Sequence, residues 1–198
     1  MPAQRHSRQL RSSQAPPQST ENCQRRRVMT PTEAAVDAVA RPAMAVLGAG
    51  SWGTALAVHL ARTGHPTVLW GRDAAQMAAF AAARCNTRYL PMAQFPPTLA
   101  VETDLARAVA SAQELLVAVP SHSFRECLEQ VAPLLRHEMR VCWATKGFEL
   151  DTGKLPHQVA NEVLGIAVPK AVLSGPTFPR EVGLGLPTAM TVASRDHD

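Results

Sequence analysis

The chain has 198 residues, 46% of them hydrophobic, and a formal net charge of +4 at pH 7. This length suits one domain of ordinary size, or one domain with tails. Residues 1–43 hold seven arginines against three acidic residues, whereas residues 44–198 carry 13 basic and 13 acidic side chains. The body of the chain therefore shows no bulk charge bias toward nucleic acid. No apolar run approaches the roughly 18 residues of a membrane span.

Four cysteines are spread along the chain without a C-x-x-C pair. Such spacing is typical of free thiols in a reducing compartment. We therefore expect a cytoplasmic protein without a metal site.

The first 42 residues are rich in Arg, Gln, Ser and Pro. They are predicted to form a disordered basic tail, because they have too few apolar side chains to bury. Within this tail, Pro31 suits the first turn of a short helix over 31–40. Binding of nucleic acid through Arg25-Arg26-Arg27 remains an alternative, and such binding would be salt-sensitive.

A glycine-rich turn organises the rest of the chain. A short apolar run ends in the motif G-x-G-x-x-G at residues 48–53, and an Ala- and Leu-rich helix follows at 54–61. This strand–turn–helix context is typical of dinucleotide binding. Gly48 permits the tight turn, Gly50 lets the backbone approach a pyrophosphate, and Gly53 lets the helix pack on the strand. A packing turn without a ligand is the alternative.

From Ala43 onward, strand and helix patterns alternate, which predicts a Rossmann-like, doubly wound and mostly parallel sheet over residues 43–198. Asp73 and Ser121 are predicted N-caps, Asp104 opens another helix, and Gly165 is a predicted C-cap. Residues 85–91 are predicted to form a loop. Helices are predicted over 54–61, 74–83, 105–110, 121–135 and 152–164, and strands over 44–47, 67–70, 99–101, 114–119, 140–145, 171–174 and 188–193.

Four loops follow the carboxyl ends of predicted strands, where ligands bind in such sheets. They cover residues 48–53, 70–73, 120–124 and 146–149. Arg72 lies 19 residues past the last glycine of the turn. An arginine there accommodates a 2′-phosphate, which favours NADPH. The neighbouring Asp73 leaves NAD as the alternative cofactor, because a carboxylate there binds the ribose hydroxyl of NAD.

The third loop, V-P-S-H-S-F, offers two candidate side chains. A rigid turn after a central strand places Phe124 against the nicotinamide. His122 suggests acid–base chemistry, but its place just inside a helix start favours an exposed, non-catalytic histidine.

The loops after two later strands offer groups for a phosphorylated ligand. Lys146 would project from a strand end into the cleft, where its ammonium holds a phosphate or polarises a carbonyl. A surface lysine in a turn is the alternative. Thr177 and the backbone around Gly175 would donate hydrogen bonds to the same ligand.

Several motifs occur together and in order: G-A-G-S-W-G-T-A-L-A, L-W-G-R-D, N-T-R-Y-L-P, V-A-V-P-S-H, A-T-K-G, L-S-G-P-T-F and G-L-P-T-A. Over roughly residues 43–195, the chain resembles the bacterial branch of the NAD(P)-dependent sn-glycerol-3-phosphate dehydrogenase family. The resemblance implies an oxidoreductase that transfers hydride reversibly between NAD(P)H and dihydroxyacetone phosphate. The product, sn-glycerol 3-phosphate, would feed phospholipid synthesis.

The resemblance also assigns site residues. Lys146 would touch both cofactor and substrate, and Gly175 and Thr177 would line the substrate site. Pro179 stands where the family usually has a small, cofactor-contacting residue, and it has no backbone N–H to donate. The other implied cofactor contacts are Gly48, Gly50, Ser51, Trp52, Gly53, Arg72 and Phe124.

Length separates this chain from the family it resembles. Family members continue into an all-helical domain that supplies the proton-acceptor lysine, a phosphate-binding motif and much of a homodimer interface. The resemblance implies that this lysine lies beyond Asp198, the last of the 198 residues. Lys146 would then serve as a substrate clamp, and the chain would bind NAD(P)H with little activity alone.

Two alternatives to this interpretation remain. One is a non-catalytic NAD(P)-binding fragment. The other is a related two-domain dehydrogenase that acts on 6-phosphogluconate, ketopantoate or 3-hydroxyacyl compounds. Such enzymes share the glycine turn and the V-P loop, but they lack the combination of A-T-K-G with S-G-P-T-F.

Overall fold

A computed structural model describes residues 41–195 of the chain. The predicted tail over 1–42 lies outside the described residues except for Arg41 and Pro42, and the predicted helix over 31–40 lies wholly outside them. Asp198 lies outside them as well, at the other end of the chain. The expectation that the proton-acceptor lysine lies beyond Asp198 therefore stays a prediction.

Within the described range, nine strands form one large sheet and one small hairpin. The strands are β1 (Met44–Leu47), β2 (Thr67–Trp70), β3 (Cys85–Asn86), β4 (Leu90–Gln94), β5 (Leu99–Glu102), β6 (Glu114–Val117), β7 (Arg140–Trp143), β8 (Lys170–Ser174) and β9 (Thr191–Ser194).

The large sheet has the order β5-β2-β1-β6-β7-β8-β9. All neighbouring strands run parallel except β8 and β9, which are antiparallel. The strand order reverses between β1 and β6, and a ligand crevice is expected outside the carboxyl ends of the strands at such a point. The prediction of a doubly wound, mostly parallel sheet is confirmed.

Six α-helices connect the strands of the described part of the chain. They are α1 (Ser51–Arg62), α2 (Ala74–Ala83), α3 (Leu105–Ala110), α4 (Phe124–Val131), α5 (Pro156–Leu164) and α6 (Pro179–Leu184). Short 3₁₀ turns at Ser121–Ser123 and Ala132–Leu134 flank α4.

Two apolar clusters cover the two faces of the large sheet. Val46 points into one cluster and Ala45 and Leu47 into the other, as the alternation of side chains along a strand requires. Every residue of β1 is buried, which is typical of a central strand of a parallel sheet covered on both faces.

The predicted caps are confirmed at three helix ends. The Asp73 carboxylate accepts a hydrogen bond from the Gln76 N–H at 3.0 Å, and the Asp104 carboxylate accepts one from the Arg107 N–H at 3.0 Å. Gly165 ends α5 with φ +74°. Each carboxylate satisfies an N–H that the first helical turn leaves without an intrahelical partner.

The predictions for two other helix starts are wrong. Ser121 starts a 3₁₀ turn, so α4 begins only at Phe124 and has no side-chain cap. The helix predicted from residue 152 starts at Pro156, because the preceding residues turn back through a hydrogen bond from the Glu149 N–H to the Lys154 carbonyl. Proline suits the first helical position, where no N–H partner is needed.

The predictions for the segment after α2, the segment after β8 and several strand ends are also wrong. The predicted loop over 85–91 contains β3 and the start of β4, an antiparallel hairpin. A helix that was not predicted, α6, follows β8. The strands predicted over 114–119 and 140–145 end two residues earlier, at Val117 and Trp143, and β9 starts only at Thr191.

Candidate functional site

A cavity of about 880 Å³ lies at the carboxyl ends of β1, β2, β6 and β7. All four predicted loops contribute to its wall, including Gly50, Arg72, Pro120 and Lys146. Its size is that of a pocket for a small organic ligand or cofactor. The topology thus brings together segments that are far apart in the chain.

The three glycines of the turn have different surroundings. Gly48 has φ +119°, and a Cβ built on it would lie 2.7 Å from the Ala118 carbonyl oxygen. A Cβ on Gly53 would lie 1.9 Å from the carbonyl oxygen of Gly48. A Cβ on Gly50 would meet nothing within 4 Å, and this residue lines the cavity. Two glycines therefore serve packing, and the third leaves open space at the cavity wall.

Helix α1 begins at this wall. Gly50 is its N-cap residue and provides no side-chain cap, and Ser51 and Trp52 of its first turn line the cavity. The first N–H groups of a helix have no intrahelical partner and carry partial positive charge. This end of α1 therefore favours an anionic group in the cavity.

Arg72 and Asp73 follow β2 at one end of the cavity, and both are exposed. The Asp73 carboxylate already accepts the Gln76 N–H at the start of α2. No described residue pairs with the Arg72 guanidinium by a hydrogen bond or ion pair. This guanidinium is therefore available to a ligand anion.

Lys146 links the strand-end loop after β7 to two other predicted site residues. Its Nζ lies 5.6 Å from the centre of the Trp52 ring, a cation–π contact, and donates a hydrogen bond to the Gly175 carbonyl at 3.3 Å. The preceding Thr145 donates through Oγ1 to the Val119 carbonyl at 2.8 Å. The structure thus brings Trp52, Lys146 and Gly175 together.

An ion-pair network holds the segment after Lys146. Arg125 donates to both carboxylate oxygens of Glu149, at 2.7 and 3.0 Å, and to Glu162 at 2.8 Å. The Arg125 contact and a hydrogen bond from Thr152 lower the pKa of Glu149 to about 2. Sequence reasoning missed this network, because Arg125 lies in α4 and Glu149 lies in the loop after β7, and no local spacing pairs them.

Two buried polar atoms at the cavity have no hydrogen-bond partner among the described residues: Trp52 Nε1 and Thr177 Oγ1. Both residues line the cavity. Since buried polar groups of folded proteins are nearly always paired, each such group needs an explanation. A polar ligand in this cavity would satisfy a donor at Trp52 and a donor or acceptor at Thr177.

Pro179 also lines the cavity, at the first position of α6. There the missing N–H costs no intrahelical hydrogen bond. Gly175 follows the last residue of β8, and its backbone lies close to the backbone at Ala189. A glycine is needed there, because a Cβ on residue 175 would lie 2.7 Å from the Ala189 carbonyl oxygen.

Phe124 does not line the cavity, and its predicted contact with a nicotinamide stays a prediction. Its side chain is 2% exposed and belongs to the core, where its ring packs edge-on against Trp143 at 6.0 Å between centroids. His122 lies at the cavity wall and is exposed, as expected for a histidine at a helix start.

The hairpin of β3 and β4 supplies wall residues that sequence reasoning did not assign. Tyr89, between the two strands, lines the cavity. Asn86 is buried behind the glycine-rich turn and donates to the Ala49 carbonyl at 3.1 Å and to Thr54 Oγ1 at 2.7 Å. The motif N-T-R-Y-L-P was a signal for this contribution, but its spacing alone assigned no role to either residue.

Cys127 also contributes to the cavity wall, from α4. Burial raises the pKa of its thiol to about 12. The thiol is therefore a neutral apolar neighbour of the cavity at physiological pH.

Residues 41–195 show neither a membrane span nor a metal site. None of their helices has the length and apolar character needed to cross a membrane. In the same part of the chain, no three His, Cys, Asp or Glu side chains gather as a metal site requires.

Comparison with known proteins gives concordant matches. The sequence model of the family described as NAD-dependent glycerol-3-phosphate dehydrogenase N-terminus matches residues 43–198. The glycerol-3-phosphate dehydrogenases (NAD(P)+) of Edwardsiella ictaluri and Cronobacter sakazakii are 56% and 54% identical to this chain over 153 residues. These matches cover 77% of this chain and 45% of each relative, so the chain spans about half the length of these curated relatives.

A solved structure of glycerol-3-phosphate dehydrogenase from Coxiella burnetii is similar to this fold, with a TM-score of 0.74 and 40% sequence identity. The match covers 79% of this chain and 47% of that one. The structural match thus covers nearly the same share of this chain as the sequence matches.

Proposed function

The chain belongs to the NAD-dependent glycerol-3-phosphate dehydrogenase family, and we propose that residues 43–198 form a nucleotide-binding domain that prefers NADPH to NADH. The observation that carries this proposal is the glycine-rich turn at the cavity. Gly50 stands there beside open space, at the N-terminus of a 12-residue helix. A pyrophosphate needs both the open space and the unpaired N–H groups.

The described residues suit such a cofactor along the length of the cavity. Gly50 and Ser51 would hold the pyrophosphate, and Arg72 the adenosine ribose with its 2′-phosphate. At the other end, Trp52 and Lys146 would lie beside the nicotinamide ring. The unpaired Trp52 Nε1 supports this assignment, since a buried donor needs an acceptor. When bound, the nicotinamide supplies or takes up the hydride.

The preference for NADPH follows from the charges after β2. Selectivity for NAD over NADP usually depends on a carboxylate that binds the ribose 2′-hydroxyl. The Asp73 carboxylate here caps α2 instead, whereas the neighbouring Arg72 is exposed and free of partners in the described part of the chain. A phosphate is a better partner than a hydroxyl for such a guanidinium.

The substrate end is proposed at Lys146, Gly175 and Thr177. The Lys146 ammonium contacts the Gly175 carbonyl at 3.3 Å, and Thr177 carries the unpaired buried hydroxyl. A cation beside a hydroxyl suits a small phosphorylated or carbonyl-bearing ligand. We propose dihydroxyacetone phosphate and sn-glycerol 3-phosphate, interconverted by the whole protein. The proton acceptor for that reaction is proposed in the part of the whole protein beyond Asp198, and Lys146 is proposed as the substrate clamp.

Pro179 lines this wall, and it has no backbone N–H to donate. We therefore propose that it contacts the cofactor through its ring alone. The cytoplasmic location is likewise a proposal, supported by the unpaired thiols of Cys85, Cys127 and Cys142. Homodimer formation by the whole protein rests on the family resemblance.

The experiment is a titration of the 198-residue chain with NADPH and NADH, followed by tryptophan fluorescence, because Trp52 and Trp70 line the cavity. Arg72→Ala should raise the Kd for NADPH about ten- to hundredfold, which corresponds to a charge-assisted hydrogen bond. The Kd for NADH should stay within about twofold of the wild-type value, a change of about 0.4 kcal/mol or less.

Arg140→Ala is the matched control. This arginine is the first residue of β7, so it lies at the amino ends of the strands and away from the cavity. It pairs with Glu114. Arg140→Ala should change neither the Kd for NADPH nor the Kd for NADH. Failure of the wild-type chain to bind either nucleotide would refute the proposed function, and equal loss of NADPH and NADH in Arg72→Ala would refute the role of the 2′-phosphate.

A further inference from the structure

Asn86 connects the hairpin to the glycine-rich turn. Its side chain is fully buried, and its amide nitrogen donates to the Ala49 carbonyl at 3.1 Å and to Thr54 Oγ1 at 2.7 Å. Its amide oxygen accepts the Tyr89 N–H at 2.9 Å. Both donors of the amide and one acceptor position are therefore used, which fixes the orientation of this side chain.

The hairpin is built to aim Asn86 inward. Strand β3 has only two residues, and the register with β4 shifts between Cys85 and Asn86. Such irregularities turn a side chain away from the regular alternation and are common beside functional sites. Here the result is a polar side chain with 0% exposure between the hairpin and α1.

The contact with Ala49 determines the direction of a neighbouring donor. The Ala49 carbonyl and the Gly50 N–H belong to one peptide unit, and in a planar trans peptide these two groups point in opposite directions. Asn86 binds the carbonyl, so the Gly50 N–H points away from Asn86. Among residues 41–195, none accepts a hydrogen bond from this N–H, and Gly50 lines the cavity.

We propose that Asn86 is a positioning residue for cofactor binding: it holds the Ala49–Gly50 peptide in the orientation in which the Gly50 N–H donates to the pyrophosphate. This inference rests on the proposed function. Asparagine suits the task because it presents two donors and one acceptor. An aspartate of the same shape has no donor when ionised, and its carboxylate faces the Ala49 carbonyl oxygen.

The test is the substitution Asn86→Asp in the full 198-residue chain, with titration by NADPH and NADH. The Kd for both nucleotides should rise at least about tenfold and by the same factor, because the pyrophosphate is common to both. Asn161→Asp, a half-buried position on α5, makes the same chemical change away from the cavity. It should leave both values unchanged.

A second control separates positioning from general loss of stability. Val159→Ala removes a core side chain that is 1% exposed and lies outside the cavity wall. It should lower the melting temperature while leaving the Kd of the folded protein unchanged. If Asn86→Asp binds both nucleotides with the wild-type Kd, the inference is overturned. If the wild-type chain binds neither nucleotide, the proposed function fails, and the inference fails with it.

A variant at the neighbouring Thr54 keeps the proposal testable if Asn86→Asp does not fold. Thr54→Val keeps the shape of this buried side chain and removes one of the two acceptors of the Asn86 amide. The Kd for both nucleotides should then rise about threefold, as expected for loss of a single neutral hydrogen bond. A wild-type Kd in Thr54→Val would overturn the role of Asn86.

Discussion

Replacing Gly50 with alanine is expected to leave the stability of the folded chain nearly unchanged and to weaken cofactor binding. The backbone of Gly50 has φ −75° and ψ −176°, which alanine adopts without strain, and the new Cβ would meet nothing within 4 Å. Alanine at a compatible glycine position stabilises by about 0.4–1 kcal/mol by restricting the unfolded chain, but at an N-cap alanine is less favourable than glycine by a similar amount. The two effects oppose each other, so the melting temperature should stay within about 2 °C of the wild-type value.

The same methyl group would project into space that the ligand needs. Gly50 lies at the cavity wall, and the open space beside it is where the pyrophosphate would approach the backbone. Displacing the phosphate forfeits its hydrogen bond to the Gly50 N–H. A charge-assisted hydrogen bond contributes about 1.5–3 kcal/mol, so the Kd for NADPH should rise about ten- to 150-fold.

Gly53→Ala is the matched control, and it should lower the stability of the folded chain. Its Cβ would lie 1.9 Å from the Gly48 carbonyl oxygen and 3.1 Å from the carbonyl carbon. These are backbone atoms, so the helix or the strand must shift, at a cost of about 1–3 kcal/mol or more. The melting temperature should fall by at least about 2 °C.

Thermal unfolding without nucleotide and fluorescence titration with NADPH measure the two effects separately. The reasoning is refuted if Gly50→Ala binds NADPH with the wild-type Kd, because the open space would then have no function in binding. It is also refuted if Gly50→Ala melts as far below the wild type as Gly53→Ala does, or if Gly53→Ala melts at the wild-type temperature.

Two further predictions concern the surroundings of the cavity. Phe124→Ala should destabilise the chain by about 3–5 kcal/mol in chemical denaturation, because the ring is 2% exposed and packs on Trp143. An effect on the Kd for NADPH without loss of stability would instead support the predicted contact of Phe124 with the cofactor. Arg125 lowers the pKa of Glu149 to about 2, so this pair stabilises the chain above pH 4.5 and its contribution disappears as the pH falls toward 2. Glu149→Gln should flatten the decline in melting temperature over that range, and an unchanged decline would contradict the assignment.

Elements whose determinants lie close together in sequence were predicted well. The strand before the glycine-rich turn, the helix after it and the caps at Asp73 and Asp104 each depend on residues within a few positions of one another. The strand ends at Val117 and Trp143 were placed too late. Apolar residues continue past both ends, and apolar character alone does not show where the pairing with neighbouring strands stops.

Elements decided by distant contacts were missed. Helix α6 has only six residues and contains Gly183, so its local helix propensity is weak. It packs against α1, where the Arg62 side chain donates to the Gly183 carbonyl. Tertiary packing of this kind outweighs weak local propensity.

Prediction of the site residues was also limited by contacts between residues that are distant in sequence. Trp52, Arg72, Lys146 and Thr177 line one cavity, because the carboxyl ends of parallel strands lie on the same side of the sheet, and the roles that the motifs assign to them stay predictions. For Phe124, an aromatic residue in a strand-end loop suits either a ligand contact or a core position. The ring of Trp143, 6.0 Å away in the structure, decides for the core, and no local pattern contains that information.

The polar groups left unpaired in the described part of the chain give independent support for the function of the cavity. Trp52 Nε1 and Thr177 Oγ1 are the two buried side-chain atoms there without a partner, and both are at the cavity wall. If the cavity were only a defect in packing, there would be no reason for the two residues that carry these unpaired atoms to line it together with Lys146. Each unpaired buried group costs stability, and chains tolerate such departures chiefly at functional sites. The cost is recovered when a ligand with matching acceptors and donors binds, so the unpaired atoms indicate where a polar ligand makes its contacts.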